Sequence, residues 1–463
     1  MKTVLIPITS NFIVRNFLRT DTGRMLASRP DIRMAFLASR DKLAYYRSEF
    51  PFPNAIFDIL PDPRRTYLER VFSFAETASI HSCTVVMMHK WRLHRRNSQA
   101  PFFLRLVSYA LRRGFWHLGA YHRWRSMIRR AYGLFCDKET RSALLRHKPD
   151  LVFAATMLPR DMAMLREARR LGIRTLGMTL SWDNLYNKTM LRVHPDGLLV
   201  QTAGIREQAI TLGDYPAEKI EIVGIPQYDD HFLRARVRAR DEFLSAIGAD
   251  PKKKLILYAF SGKAGLAVDF EMADILASAI REGEIAENAE VLLRPYPRYD
   301  FPEEKLARWR ARYGFLAFSS AAHAGEGKED WEFDEDALDF LANSLAHADV
   351  VITMFSTFFI EAAIFDRPLV GVAFDGSLRL DYWNSAARFF DWDHLSLLKP
   401  LEGIRLVGSR AELVRAINEY LQNPALMREG RTKIVAEECQ FSDGKSGARV
   451  AQEIVKFLDD ERT

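Results

Sequence analysis

The feature that most limits the fold of this chain is an alternation of short apolar runs with longer amphipathic stretches. It continues to about residue 229 and then begins again. Apolar runs bounded by turn residues read as strands buried on both faces. The amphipathic stretches between them read as crossover helices, and together they make parallel α/β sheets. In the first half the strands fall at Thr3–Ile8, Arg33–Ala38, Ala55–Leu60, Leu151–Ala155, Arg174–Thr179, Gly197–Gln201 and Ile220–Val223. Helices such as Arg160–Leu171 and Ile205–Leu212 lie between them.

The second half repeats the scheme. A polar helix at about 231–247 leads to strands Lys254–Phe260, Glu290–Arg294, Leu316–Ser319, Val350–Thr353 and Pro368–Val372. Helices Asp269–Arg281, Asp336–His347 and Thr357–Phe365 separate them, and helices at about 410–421, 424–437 and 444–459 close the chain. Gly325–Asp330 reads as a loop. The fold class is α/β, with two doubly wound domains, 1–229 and 230–463, facing a central cleft. Its 463 residues, 48% of them hydrophobic, are enough for two such cores and exclude a disordered chain.

Charge is distributed unevenly. Between Glu76 and Asp137 there is no acidic residue, while eleven Lys or Arg fall there. The remainder of the chain carries 55 basic against 60 acidic residues, so a slightly acidic protein holds one strongly basic segment, 77–136. The stretch from about 100 to 147 reads as two or three helices without strands, inserted into the first sheet's crossover, and 77–136 as a basic helical segment. Trp91, Phe102, Phe103, Phe115, Trp116, Tyr121 and Trp124 are interleaved with its arginines, as in helices that dock on an anionic membrane surface. No recognised nucleic-acid module is present, so nucleic acid is not expected as a partner. No apolar run approaches the roughly 20 residues of a spanning helix, and Met1–Pro7 reads as a first strand rather than a signal peptide. Three scattered cysteines without a CxxC suit a reducing, cytoplasmic setting, peripheral at most to the inner face of the cell membrane.

In doubly wound sheets, ligands bind outside the carboxyl ends of the strands. Three such ends in the second half carry suitable chemistry. After Val350–Thr353, Ser356 stands where a helix N-cap belongs and Thr357 begins the helix, so exposed N–H groups and the helix dipole offer an anion site. Glu361, one turn in, can accept from ribose hydroxyls. After Lys254–Phe260, the small-residue loop Ser261, Gly262 and Lys263 lets backbone approach a phosphate, though it lacks the P-loop spacing. Arg294 ends the next strand and suits bidentate phosphate contact. In the first half, Ser181, Asp183 and Asn184 follow an apolar strand, with Asp183 placed as general base. Ser10, Asn11 and Arg15 occupy the first strand-to-helix loop.

Two D-x-D triplets, Asp334–Asp336 and Asp391–Asp393, read as solvated helix-start and loop acids rather than metal ligands, and His194 as structural. No Ser/His/Asp arrangement and no H-E-x-x-H occurs. The expectation is therefore chemistry without a metal or cofactor.

These residues together resemble the GT-B superfamily of nucleotide-sugar enzymes, which implies two Rossmann-type domains with the donor site in the second. Asp196–Gln201 followed by Lys219-Ile-Glu-Ile-Val-Gly-Ile-Pro-Gln-Tyr-Asp229 is similar to the closing strands of the first domain in Kdo transferases and UDP-GlcNAc 2-epimerases. Asp349, Ser356, Thr357, Glu361 and Pro368 resemble the donor motif of envelope and capsular polysaccharide glycosyltransferases. CDP-glycerol glycerophosphotransferases are similar there, and also near Arg294-Pro295. The loop Met354–Glu361 lacks the glycine pair of the epimerases. The resemblance implies transfer of a sugar from a nucleotide-sugar to an envelope glycan or lipid-linked acceptor. Donor contacts would come from Ser261, Gly262, Lys263, Arg294, Ser356, Thr357 and Glu361. Acceptor contacts would come from Ser10, Asn11, Arg15, Ser181 and Asn184. Two alternatives are polyol-phosphate transfer from a CDP-polyol and a non-catalytic scaffold that binds nucleotide or lipid.

Overall fold

The computed structural model describes the chain apart from residues 63–65, 96–97, 263–265, 286–287, 461–463 and, within 296–330, all but 304, 307, 311, 316–318 and 322–323. Lys263 and the Gly325–Asp330 loop thus lie outside the described residues. The chain divides into two compact units. Met1–Leu93, Asn97–Asp229 and Glu437–Thr463 form the first, and His94–Arg96 and Asp230–Ala436 form the second.

The first unit is built on strands β1 (Lys2–Pro7), β2 (Ile32–Ala38), β3 (Ala55–Ile59), β4 (Leu151–Ala154), β5 (Arg174–Met178), β6 (Gly197–Val200) and β7 (Ile220–Ile222). They pair in parallel in the order β3-β2-β1-β4-β5-β6-β7. The chain starts mid-sheet, builds to one edge, then crosses to the far side of β1. The sheet therefore has its topological switch point between β1 and β4. Val4, Ile6, Phe36, Leu151, Phe153 and Leu176 fill its core.

Among the described residues the β3-to-β4 crossover holds five helices: Tyr67–Ala78, Cys83–His94, Phe102–Gly119, His122–Tyr132 and Lys138–His147. The expected helical insertion is present, but not all of its charge is free. Arg125 and Arg129 clasp the carboxylate of Asp214 at 2.5 and 2.6 Å, tying the insertion to the body of the unit. Of the ten basic residues of 77–136 that are described, only Arg92, Arg95, Arg123 and Arg130 are exposed.

The second unit comprises β8 (Lys254–Ala259), β9 (Ala289–Arg294), β10 (Leu316–Phe318), a hairpin of β11 (Ala322–His323) and β12 (Trp331–Glu332), β13 (Val350–Thr353), β14 (Leu369–Val372) and β15 (Arg405–Val407). Its parallel sheet runs β10-β9-β8-β13-β14-β15, with the switch point between β8 and β13.

Three expectations are corrected. The continuous helix at 231–247 is two short ones, Asp229–Phe232 and Arg240–Ala246. Between them Arg234 takes a positive φ of 54°. Arg236 is drawn to Asp230 and Asp339, both at 2.8 Å, and the N–H of Arg238 donates to Asn343 Oδ1 at 2.8 Å. These ties outweigh local helix propensity. The edge strand β15 was not anticipated. Finally, the chain's end does not stay in the compact unit that begins at Asp230. In the helix Ser446–Asp459, Val450, Ala451, Ile454 and Leu458 join the first core.

The Gly224–Asp229 element explains that return. Gly224 has a φ of 82°, and a Cβ there would stand 2.5 Å from Ser446 Oγ. The Asp229 carboxylate accepts the N–H groups of Ser446 and Gly447 at 3.0 and 2.7 Å. It caps a helix whose own N-cap, Lys445, provides no side-chain acceptor.

Candidate functional site

In the second unit the ends of β9, β8 and β13 lie side by side at the switch point and are stitched together. The N–H of Phe260 donates to the Arg294 carbonyl at 3.0 Å, and Thr353 Oγ1 donates to the Ala259 carbonyl at 2.9 Å. Arg294, Ser261 and Ser356 therefore occupy neighbouring strand ends, as the sequence placed them.

Arg294 is only 9% exposed, and its guanidinium carbon sits 5.0 Å from the ring centroid of Phe358. Phe358 is the first residue of the helix Phe358–Ile364. The sequence reading set Ser356 as N-cap, whereas the helix begins one residue later with Thr357 as cap. Ser356 Oγ accepts the N–H of Phe358 at 3.2 Å, and the Ser356 carbonyl accepts that of Phe359 at 3.3 Å. These bonds tighten the turn and displace the helix start. Glu361 is 2% exposed and lies in a helix buried along its whole length, so it is not a solvated surface acid.

The β8 loop behaves differently from expectation. Gly262 has a φ of 91°, a conformation that glycine adopts at least cost, and it turns the chain just past Ser261. The Ser261 N–H and hydroxyl, offered in the sequence reading to a phosphate, both donate to Asp269 at 3.0–3.2 Å. Asp269 is fully buried and also accepts from Tyr258 Oη at 2.8 Å. Burial pushes its carboxyl up to about 7, and these donors pull only partly against that. Sequence reasoning missed Asp269. Its one signal was an acid at a helix start, which reads as an ordinary cap. Phe355, beside Ser356, was missed too; it stacks on Phe389 at 3.6 Å.

In the first unit, both candidate loops contain a π-helical turn, Val14–Leu18 after β1 and Asn184–Lys188 after β5. Such turns are frequent at functional sites. Asp183 Oδ1 accepts from Ser181 Oγ at 2.6 Å and from Lys188 Nζ at 2.7 Å. Asp183 makes no side-chain cap to the following turn, so it is held by an ion pair rather than by an Asx turn. Trp182 beside it is buried. Asn184 is completely buried, its Oδ1 accepting the N–H of Leu180 at 2.9 Å, which shapes the loop. In the β1 loop Asn11 Oδ1 accepts from Lys42 at 3.0 Å, Ser10 Oγ from the N–H of Phe12 at 3.4 Å, and Arg15 Nε donates to Asn16 at 3.1 Å. The preceding Thr9 donates at 2.8 Å to Asp161, a buried carboxyl that desolvation raises to about 6. Each unit thus pins the loop after its first strand with a buried aspartate.

Among the described residues no group of three or more His, Cys, Asp or Glu is placed to hold a metal. Asp334 caps the helix Glu335–His347, and Asp391 binds Tyr382 and Lys399. His194 Nε2 donates to the Gly213 carbonyl at 2.9 Å.

Two doubly wound parallel-sheet units in this order define the GT-B fold, and solved structures agree. UDP-GlcNAc 2-epimerase from Neisseria meningitidis, bound to UDP-GlcNAc, matches with a TM-score of 0.55 at 9% identity over 98% of this chain and 100% of that one. MnaA of S. aureus, solved with UDP, matches at 0.56 and 12% over 99% and 97%. The enzyme from Methanocaldococcus jannaschii matches at 0.54 and 14% over 98% and 100%. At these identities the likeness is one of fold. No curated protein matches the sequence. The family model described as CDP-glycerol:poly(glycerophosphate) glycerophosphotransferase matches residues 194–456, more than half of the chain. The chain belongs to that family, and so to the transferases.

Proposed function

We propose that the strand ends β9, β8 and β13 bind the diphosphate of a nucleotide-activated donor, and that the protein transfers a polyol phosphate from a CDP-polyol to a hydroxyl acceptor. The supporting observation is the buried Arg294 at the switch point, stacked on Phe358, the residue that follows Ser356 and Thr357. The family match covers residues 230–436 of this unit and carries CDP-glycerol in its description.

In this reaction the acceptor oxygen attacks the polyol-bearing phosphorus, the bond from that phosphorus to the bridging oxygen breaks, and CMP leaves. Phosphoryl transfer asks the protein mainly for positioning and for charge placed where negative charge develops. Arg294 would supply that charge. Asp183, once released from Lys188, would take the acceptor proton. The acceptor class we assign is an envelope glycan or lipid-linked polymer.

A second reading, sugar transfer from a nucleotide-sugar, draws support from the UDP and UDP-GlcNAc carried by proteins of like fold. The leaving group separates the two, CMP in one case and a nucleoside diphosphate in the other. Calorimetric titration with CDP, CMP, UDP and GDP, followed by turnover of CDP-glycerol and UDP-sugars, tests both. Preference for cytidine nucleotides with CMP release supports the first. Binding of none of them removes both and leaves a scaffold role.

A further inference from the structure

The helical insertion reaches into the loop that carries Asp183. The π-helical turn Asn184–Lys188 closes through the Thr189 N–H, which donates to the Asn184 carbonyl at 3.2 Å. Its register matters because Asp183 and Lys188 are five residues apart. On an α-helix such residues lie about 140° apart round the axis and do not face each other. The wider π turn brings Lys188 back over Asp183, where Nζ donates to Oδ1 at 2.7 Å and to Ser181 Oγ at 3.0 Å. A lone π turn is rare and needs support from outside. That support comes from the junction of the helices Tyr67–Ala78 and Cys83–His94. Ser82 Oγ donates to the Tyr186 carbonyl, inside the turn, at 2.6 Å. The buried Glu76 accepts the N–H of Met190 at 3.1 Å. Met190 packs with Ile80, Val85 and Ile128 of the insertion, in a core separate from that of the sheet. Trp116 fixes Ser82 in turn: its Nε1 donates to the Ser82 carbonyl at 2.9 Å, and His81 stacks on its ring at 3.9 Å.

We infer that Ser82 is a positioning residue. Through Tyr186, and with Glu76 at Met190, it holds the π register that sets the Asp183–Lys188 pair, a role in turnover that rests on the reading of Asp183 as acceptor base. Attachment of the insertion does not need Ser82, since Arg125 and Arg129 already fasten it to Asp214 at 2.5 and 2.6 Å. A bond aimed at a carbonyl inside the turn acts on the turn instead. The hydroxyl also does two things at once. Ser82 Oγ accepts the N–H of Val85 at 3.1 Å while its own proton goes to Tyr186. One hydroxyl can do both, and alanine can do neither.

The experiment compares the full chain with its Ser82→Ala, Ser82→Thr and Arg129→Ala variants. In Ser82→Ala, hydrogen exchange of the Thr189 and Met190 amides should speed up about tenfold. Lys188, released from Asp183, should be acetylated several-fold faster by acetic anhydride, as read by mass spectrometry. With whichever of CDP-glycerol or a UDP-sugar the wild type turns over, kcat should fall about tenfold at unchanged donor KM. Ser82→Thr keeps the hydroxyl and should restore all three readings. Arg129→Ala loosens the attachment of the insertion and should leave all three at wild-type values. If Ser82→Ala does not fold, Ser82→Cys keeps the volume with only a weak donor and takes its place. Unchanged exchange, unchanged labelling or unchanged kcat in the Ser82 variant, or an equal loss of kcat in Arg129→Ala, would each overturn the role. A wild type that turns over neither donor would defeat the proposed function alone, and exchange with labelling would still decide the role of Ser82.

Discussion

Arg294 is held against the face of Phe358, so the cation ending β9 is braced by the helix that follows β13. The stack fixes a planar guanidinium at the switch point of the second sheet. Arg294→Ala should weaken binding of the preferred nucleotide by about tenfold or more, the loss of one charge-assisted contact at roughly 1.5–3 kcal/mol. Arg294→Lys keeps the charge but not the planar stack, and should recover only part of that affinity. Calorimetry on folded variants checks both. An Arg294→Ala protein with unchanged affinity would remove the donor site.

Asp183 is paired with Lys188 at 2.7 Å. If Asp183 takes the acceptor proton, Asp183→Asn should retain nucleotide binding and lose roughly 10²–10⁴ in turnover. Lys188→Met removes the partner that holds the Asp183 carboxylate, and should lower turnover while leaving donor affinity alone. A fully active Asp183→Asn protein would reduce Asp183 to a loop contact.

Asp269 gives a pH prediction with a definite sign. Its folded carboxyl titrates at about 7, against about 4 in an unfolded chain. The folded state therefore holds more protons than the unfolded state between those values, and stability from this group falls as pH rises through that window. Asp269→Asn cannot accept all the bonds from Ser261 and Tyr258, and should cost about 1–3 kcal/mol at pH 5. The deficit should shrink towards pH 8, where the wild type must bury a charge. Urea unfolding of both proteins across this range reads the difference, and a deficit that grows with pH contradicts it.

Asp229 accepts two N–H groups at the start of the helix Ser446–Asp459. Asp229→Ala leaves both without an acceptor, and should destabilise the first unit by about 1–3 kcal/mol. Asp229→Asn keeps one strong acceptor and should fall between. Differential scanning calorimetry measures the loss.

The central strands were legible because parallel strands buried on both faces read as unbroken apolar runs, as Val350–Thr353 does. Arg405–Val407 escaped because it is three residues long at a sheet edge, with Leu406 exposed. Arg294 and Ser356 could be placed from sequence, since a strand end fixes where its next residue lies. The Asp269 cluster could not. Tyr258, Ser261 and Asp269 meet only once the loop has folded back, and nothing in their spacing announces it. The segment 233–239 misled because Asp339 and Asn343, a hundred residues on, decide its path. The basic segment was legible in composition but not in direction, since sequence does not say which arginines turn inward.

Val450, Ala451, Ile454 and Leu458 complete a core that Val4 and Ile6 begin, so the first unit is finished by a helix translated after the whole of the second. The usual order of biosynthesis, amino-terminal domain first, is therefore inverted here. Residues 230–436 emerge entire and can close their own sheet while β1 and β4 still lack a covering helix. Until the helix Ser446–Asp459 has emerged, the nascent chain presents that uncovered apolar face to chaperones and proteases. A stop codon between residues 437 and 445 would spare the second unit and condemn the first.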